Sequence, residues 1–135
     1  MFASLLSAQE IEVVELKGGM KKRERRSALE KLTDQKEPTR QVIVATGRYI
    51  GEGFDYAPLD TLFLAMPIAW RGTLAQYAGR LHRQYEDKRE VRIYDYVDSR
   101  VPVLARMHQK RLQCYKLMGY EVSREQAISQ LCNKE

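Results

Sequence analysis

Residues 41–55 read QVIVATGRYIGEGFD, and the order of residue types in this stretch decides the fold class. From Gln41 to Thr46 the chain is apolar and β-branched with no alternation, the pattern of a short strand covered on both faces. Gly47, Gly51 and Gly53 follow at once, so the chain leaves the strand through a loop whose backbone can approach a ligand closely. Cover on both faces is what helices on either side of a parallel sheet provide.

The same order of strand, turn and helix recurs outward from this stretch. IEVVEL (11–16) predicts a buried strand, and Lys17-Gly18-Gly19 a turn. Residues 22–32 have helix-forming composition, with Ala28, Leu29 and Leu32 facing inward, and 34–39, with Pro38, read as a loop. TLFLAM (61–66) predicts a third strand, ended by Pro67. In 73–83, Leu74, Tyr77, Ala78 and Leu81 recur three and four apart, the spacing of a helix. VRIYDYV (91–97) predicts a fourth strand. A long helix over 101–118 follows, capped by Asp98 or Ser99 and closed near Gly119. Residues 5–9 read as the tail of a helix, and Ser123 would open one more over 123–131. The expectation is an α/β fold, a mainly parallel sheet of about four strands flanked by helices. Ligands on such sheets sit at the carboxyl ends of the strands, here the loops after Thr46, Met66 and Val97.

Composition narrows the function classes. A length of 135 residues fits one domain. No apolar run approaches the ~18 residues that span a bilayer, and the N-terminal MFASLLSAQE does not resemble a signal peptide, so a cytoplasmic protein away from membranes is expected. Cys114 and Cys132 then read as reduced thiols. His82 and His108 are the only histidines and no CxxC is present, so no metal site is expected. The net charge of +5 permits nucleic-acid binding without requiring it.

Two stretches carry chemistry. In 45–55, amides at the glycine turns suit phosphate, Thr46 adds a hydroxyl, and Asp55 adds a carboxylate suited to sugar hydroxyls. Taken alone, such glycines also read as plain turn chemistry. In QYAGRLHR (76–83), Arg80 and Arg83 lie three apart and would project from one helical face, with Gln76 one turn before Arg80. Two guanidiniums so placed make a fork for a phosphate, although a solvated basic face would show the same spacing.

Together these stretches resemble the C-terminal RecA-like domain of superfamily 2 DEAD/DEAH-type helicases. Residues 45–55 are similar to helicase motif V, and 76–83 fit motif VI in its QxxGRxxR form. The upstream VVELKGGMKKRERRSALEKL is similar to the family's strand–Gly–helix segment, with Glu24-Arg25 as the usual Glu-Arg pair. The resemblance runs over roughly 11–98. Its flavour is that of bacterial helicases related to restriction-enzyme translocating subunits. It implies roles residue by residue. Thr46, with Gly47 and Arg48, would touch nucleic acid; Gly53 and Asp55 would face the nucleotide and its ribose. Gln76 and Arg80 would lie toward the γ-phosphate, and Arg83 would be the arginine finger. The cofactor implied is ATP with Mg2+, bound only in company of an N-terminal RecA-like lobe. The partners implied are that lobe, in cis or trans, and single-stranded DNA or RNA.

The chain has no GxxxxGK[ST] phosphate loop and no acidic DExx-type magnesium motif. In the family the first lobe supplies both, so 135 residues are expected to be inactive alone. The sequence resembles about nine-tenths of one lobe, beginning after the strand that leads into motif IV. Residues 1–98 would form that partial domain and 99–135 a helical extension packed on it. A sheet without its first strand would expose an edge, which predicts a tendency to form a homodimer through that edge or to pair with another chain. Two basic clusters, Lys21, Lys22, Arg23, Arg25 and Arg26, and Arg100, Arg106, Lys110, Arg111 and Lys116, could follow a nucleic-acid backbone or be solvated faces. Tyr49, Tyr56 and Trp70 could stack on bases or pack. His82 would pack or face solvent; Met107, Cys114 and Met118 read as core. The alternative to a catalytic lobe is a non-catalytic single-stranded nucleic-acid-binding module, or an inactive helicase fragment.

Overall fold

The computed structural model describes residues 11–33, 40–46, 55–68 and 71–123. The elements in chain order are β1 (Glu12–Leu16), α1 (Lys22–Thr33), β2 (Gln41–Ala45), β3 (Thr61–Leu64), α2 (Arg71–Leu81), β4 (Arg92–Asp95) and α3 (Pro102–Leu117). The alternation of strand and helix is the one read from the sequence. Its four strands pair as two two-stranded ladders among the described residues, β1 with β2 and β3 with β4. The segments expected as helices at 5–9 and after Ser123, and the loop at 34–39, lie outside the described residues.

The chain forms two compact units, Met1–Thr61 with Gln76–Val91, and Leu62–Ala75 with Arg92–Glu135. In the first, β1 and β2 run parallel, from Glu12 opposite Gln41 to Leu16 opposite Ala45. A parallel pair needs a crossover, and α1 lies in it. Gly19 makes the turn before α1 at φ +89°, a conformation that costs other residues ~1–2 kcal/mol. The helix start is tied by the Lys21 N–H, which donates to Glu24 Oε2 at 2.9 Å. Val14 and Leu16 form the core here, with Ala28 of α1, Ile43, Ala45, Tyr56 and Leu59 packed against them. The side chains of Leu29 and Leu32 lie outside the described set. The cover expected over both faces of β2 is partial: all five of its residues are half-buried. Its ladder has one partner strand, β1, among the described residues.

In the second unit the core is Leu64 of β3, Leu74 of α2, and Cys114 and Tyr115 of α3, with Ile68, Ile93, Leu112, Met118 and Tyr120 packed against them. The Tyr96 N–H donates to the Leu64 carbonyl at 3.3 Å just past the ends of the two strands. Phe63 and Tyr94 stack across the ladder, centroids 4.9 Å apart and rings within 8° of parallel. The cap of α3 differs from expectation. Its N-cap is Val101, with no side-chain hydrogen bond, and Pro102 opens the helix, where a missing N–H costs nothing. Asp98 is engaged one step earlier, accepting from the Arg100 N–H at 3.0 Å. The helix ends as expected, with Gly119 at φ +84°.

Candidate functional site

Of the expected site residues, Thr46, Asp55, Gln76, Arg80 and Arg83 are described; Gly47, Arg48 and Gly53 lie outside the described residues, as do Tyr49 and Trp70. Thr46 is exposed at the carboxyl end of β2, and its N–H donates to the Leu16 carbonyl at 3.4 Å, prolonging the β1–β2 ladder by one bond. Gln76 is exposed on α2 and Arg80, one turn later, is half-buried. Between and beyond them Tyr77, Ala78 and Leu81 are buried, so the three-and-four spacing read from the sequence is the inward stripe of this helix.

Arg83 departs from its expected position. The helix stops at Leu81, two residues short of it, so Arg80 and Arg83 do not share a helical face. The last turn tightens: the His82 N–H still reaches the Ala78 carbonyl at 3.2 Å, but the Arg83 N–H reaches Arg80 at 3.5 Å. The carbonyls left free at this end are capped by a cation. Lys88 folds back and its Nζ donates to Leu81 O at 2.8 Å and Arg83 O at 2.7 Å. A cation on the free carbonyls of a last turn is the favourable sign for a helix end.

Leaving the helix turns Arg83 onto Asp55. Its Nη1 donates to Asp55 Oδ2 at 3.0 Å, with the two side chains 53% and 54% exposed. The two stretches singled out in the sequence thus meet through their charged ends within one compact unit. At this exposure such a pair is worth ~0–1 kcal/mol, so a stronger anion can displace the carboxylate. The described segment that begins at Asp55 is anchored by the next residue. Tyr56 is half-buried and its OH donates to Gln41 Oε1 at 2.7 Å, and burial, then Tyr85 and Glu12, push its hydroxyl above the usual tyrosine value. Tyr56 packs and is not presented for stacking.

The loops after β3 and β4 border an open depression of about 480 Å3 lined by Ala65, Pro67, Tyr96, Val97, Asp98 and Arg100, among others. Its charges satisfy one another: Arg100 Nε and Nη2 donate to the Asp98 carboxylate at 3.1 and 3.2 Å.

One member of the expected basic cluster on α3 has another role. Arg111 is 3% exposed and donates through Nε and Nη2 to Asp95 at 2.7 and 2.8 Å, and through Nη1 to the Ile68 carbonyl at 3.0 Å. The Tyr115 OH donates to the same carboxylate at 3.0 Å, and burial followed by the Asp95 charge drives its hydroxyl far above the usual value. Arg111 is a structural cation and leaves the nucleic-acid list; Arg106, Lys110 and Lys116 remain exposed. Its spacing from Leu104, Met107, Cys114 and Met118 was the available signal, since it falls on the inward stripe of α3. His82 is exposed, and Cys114 and Met118 join the core as expected, with Met107 half-buried.

Among the described residues no three His, Cys, Asp or Glu side chains gather to hold a metal, and no helix is long and apolar enough to cross a membrane.

The family model for the helicase conserved C-terminal domain matches residues 1–85. The chain is 34% identical over 86 residues to uncharacterized protein 108L of Invertebrate iridescent virus 3, covering 64% of this chain and 78% of that one. It is 35% identical over 79 residues to "Putative helicase 161L" of Invertebrate iridescent virus 6, covering 58% of this chain and 17% of that protein. Among solved structures, the C-terminal part of the Fun30 ATPase domain superposes with a TM-score of 0.64 at 19% identity, over 80% of this chain and 34% of that chain. This likeness shows the RecA-like α/β fold. With a family model covering residues 1–85 of 135, the chain belongs to the helicase conserved C-terminal domain family.

Proposed function

We propose that this chain is the second lobe of an ATP-dependent superfamily 2 nucleic-acid helicase or translocase, supplying motif V and the motif VI arginine finger to an ATP site completed by a first lobe. The observation that carries the reading is the 3.0 Å pair between Arg83 and Asp55, which joins the charged ends of the two motifs. ATP, with Mg2+ held by the first lobe, supplies the phosphoryl group to be transferred; the donors of this chain suit its anionic end. Arg83 is the finger: its guanidinium leaves a weakly held carboxylate for the stronger charge of a phosphate, and opposes the charge that develops there. Such a group is worth ~10³–10⁵ in rate where measured in GTPases. Asp55 parks the guanidinium before that exchange and, with Gly53, faces the ribose. Gln76 and Arg80 point toward the terminal phosphate, and Thr46, Gly47 and Arg48 touch the nucleic-acid backbone. Residues 1–98 are the partial domain in this proposal, and 99–135 a helical extension.

The test is reconstitution. A family first lobe with an intact phosphate loop is assayed for nucleic-acid-stimulated ATP hydrolysis with and without this chain. Stimulation on addition, with no turnover from this chain alone, is the expected result; no stimulation at saturating chain refutes the role.

A second reading, a binding module without catalysis, draws on the exposed Arg106, Lys110 and Lys116 of α3. It predicts binding of single-stranded DNA that weakens steeply between two salt concentrations, and it fails if no binding occurs at low salt.

A further inference from the structure

Lys88 takes no part in the mechanism just proposed, yet it lies beside its centre and is fully engaged. An ammonium has three N–H groups, and three backbone carbonyls receive them: Ala57 at 2.6 Å, Arg83 at 2.7 Å and Leu81 at 2.8 Å. The side chain is half-buried, and burial pulls its pKa below the usual lysine value, with the nearby Asp60 opposing. The three carbonyls come from two pieces of chain. Ala57 lies two residues beyond Asp55, and Leu81 and Arg83 lie at the end of α2.

We infer that Lys88 is a positioning residue for the Arg83–Asp55 pair, fixing the distance between the segment that carries the carboxylate and the turn that carries the guanidinium. It touches neither charged group. Two half-exposed side chains attract one another weakly and do not hold two backbones in place. Hydrogen bonds from a charged donor in a half-buried site are the stronger set, so order runs from Lys88 to the backbones and then to the ion pair. A lysine suits the task because its compact ammonium sends donors in three directions, where a planar guanidinium would not. The consequence for catalysis rests on the proposal that Arg83 is the finger; the positioning itself does not.

The experiment uses the full 135-residue chain, 15N-labelled, near neutral pH and at low temperature. In the unaltered protein, the Lys88 ammonium gives a resolved, slowly exchanging 15N signal, and the Arg83 guanidinium, assigned by its loss in Arg83→Ala, shows hindered rotation. Lys88→Met should release Arg83 to free-arginine behaviour while the Arg111 signal of the buried pair stays, which reports that the chain is folded. Asp55→Asn should release Arg83 but leave the Lys88 signal in place. The inference is overturned by absence of the Lys88 signal in the unaltered chain, or by its disappearance in Asp55→Asn. It is equally overturned by a folded Lys88→Met protein whose Arg83 is still restrained. Should Lys88→Met fail to fold, the unaltered chain and Asp55→Asn decide the matter alone. None of these readouts uses ATP. A restrained Arg83 in a reconstituted enzyme indifferent to Arg83→Ala would sink the finger and spare Lys88.

Discussion

At the scale of single residues, two arginines on paper alike have opposite surroundings. Arg83 shares its charge with a half-exposed Asp55; Arg111 is buried with Asp95. Removing one member of a buried pair strands the other, at about 3–5 kcal/mol. Asp95→Ala should therefore lower the unfolding free energy by about that amount in urea titrations, whereas Asp55→Ala should change it by under about 1 kcal/mol. Equal effects from the two would contradict the assignment. Asp98 gives a pH signature. Its hydrogen bonds from Arg100, side chain first, hold its pKa below the ordinary 3.8. A depressed carboxylate contributes stability above its unfolded pKa and loses it as pH falls through the folded value. The Asp98 carboxyl carbon followed by NMR should thus titrate with a midpoint below 3.8, and Arg100→Ala should bring the midpoint back up. The candidate residues were singled out because their types and order resemble the helicase motifs; that Asp55 and Arg83 pair is what the structure adds. Lys88 was not legible. One lysine among 23 basic residues has no spacing that marks it, and its partners are backbone carbonyls, which every residue has.

At the scale of elements, hydrophobic periodicity carried the reading well. The strands at β1, β2, β3 and β4 and the helices α1, α2 and α3 all lie within the expected stretches, to within a few residues at their ends. The ends themselves were less legible. Leu81, the last inward residue of α2, closes the apolar spacing, but the continued helical composition to Arg83 hid the stop, where the Lys88 ammonium meets the Leu81 carbonyl. Likewise Asp98 and Ser99 have capping side chains, yet Pro102 sets where α3 can begin. The inward stripe of α2 is testable through Leu74, which is 1% exposed. Leu74→Ala should cost about 2–5 kcal/mol in chemical unfolding. A loss under about 1 kcal/mol would place that side chain outside the core. Gly119→Ala should cost roughly 1–2 kcal/mol through its left-handed backbone, since an added methyl would meet nothing within 4 Å.

At the scale of the whole molecule, the 135 residues contain no GxxxxGK[ST] phosphate loop, so the proposed function needs a first lobe. The fold class was legible because a β-branched strand followed by glycines, in a chain that alternates strand and helix, constrains the architecture. The division into two compact units was not, since it follows from which segments meet in space. Arg83 is the centre of the proposed function, and one comparison tests its role most directly. The chain, unaltered or carrying Arg83→Ala, is joined to a first lobe with an intact phosphate loop, and ATP turnover and ATP affinity are both measured. A fall in kcat of about 10³-fold or more with ATP binding retained is the predicted result. Turnover unchanged in Arg83→Ala would contradict the account.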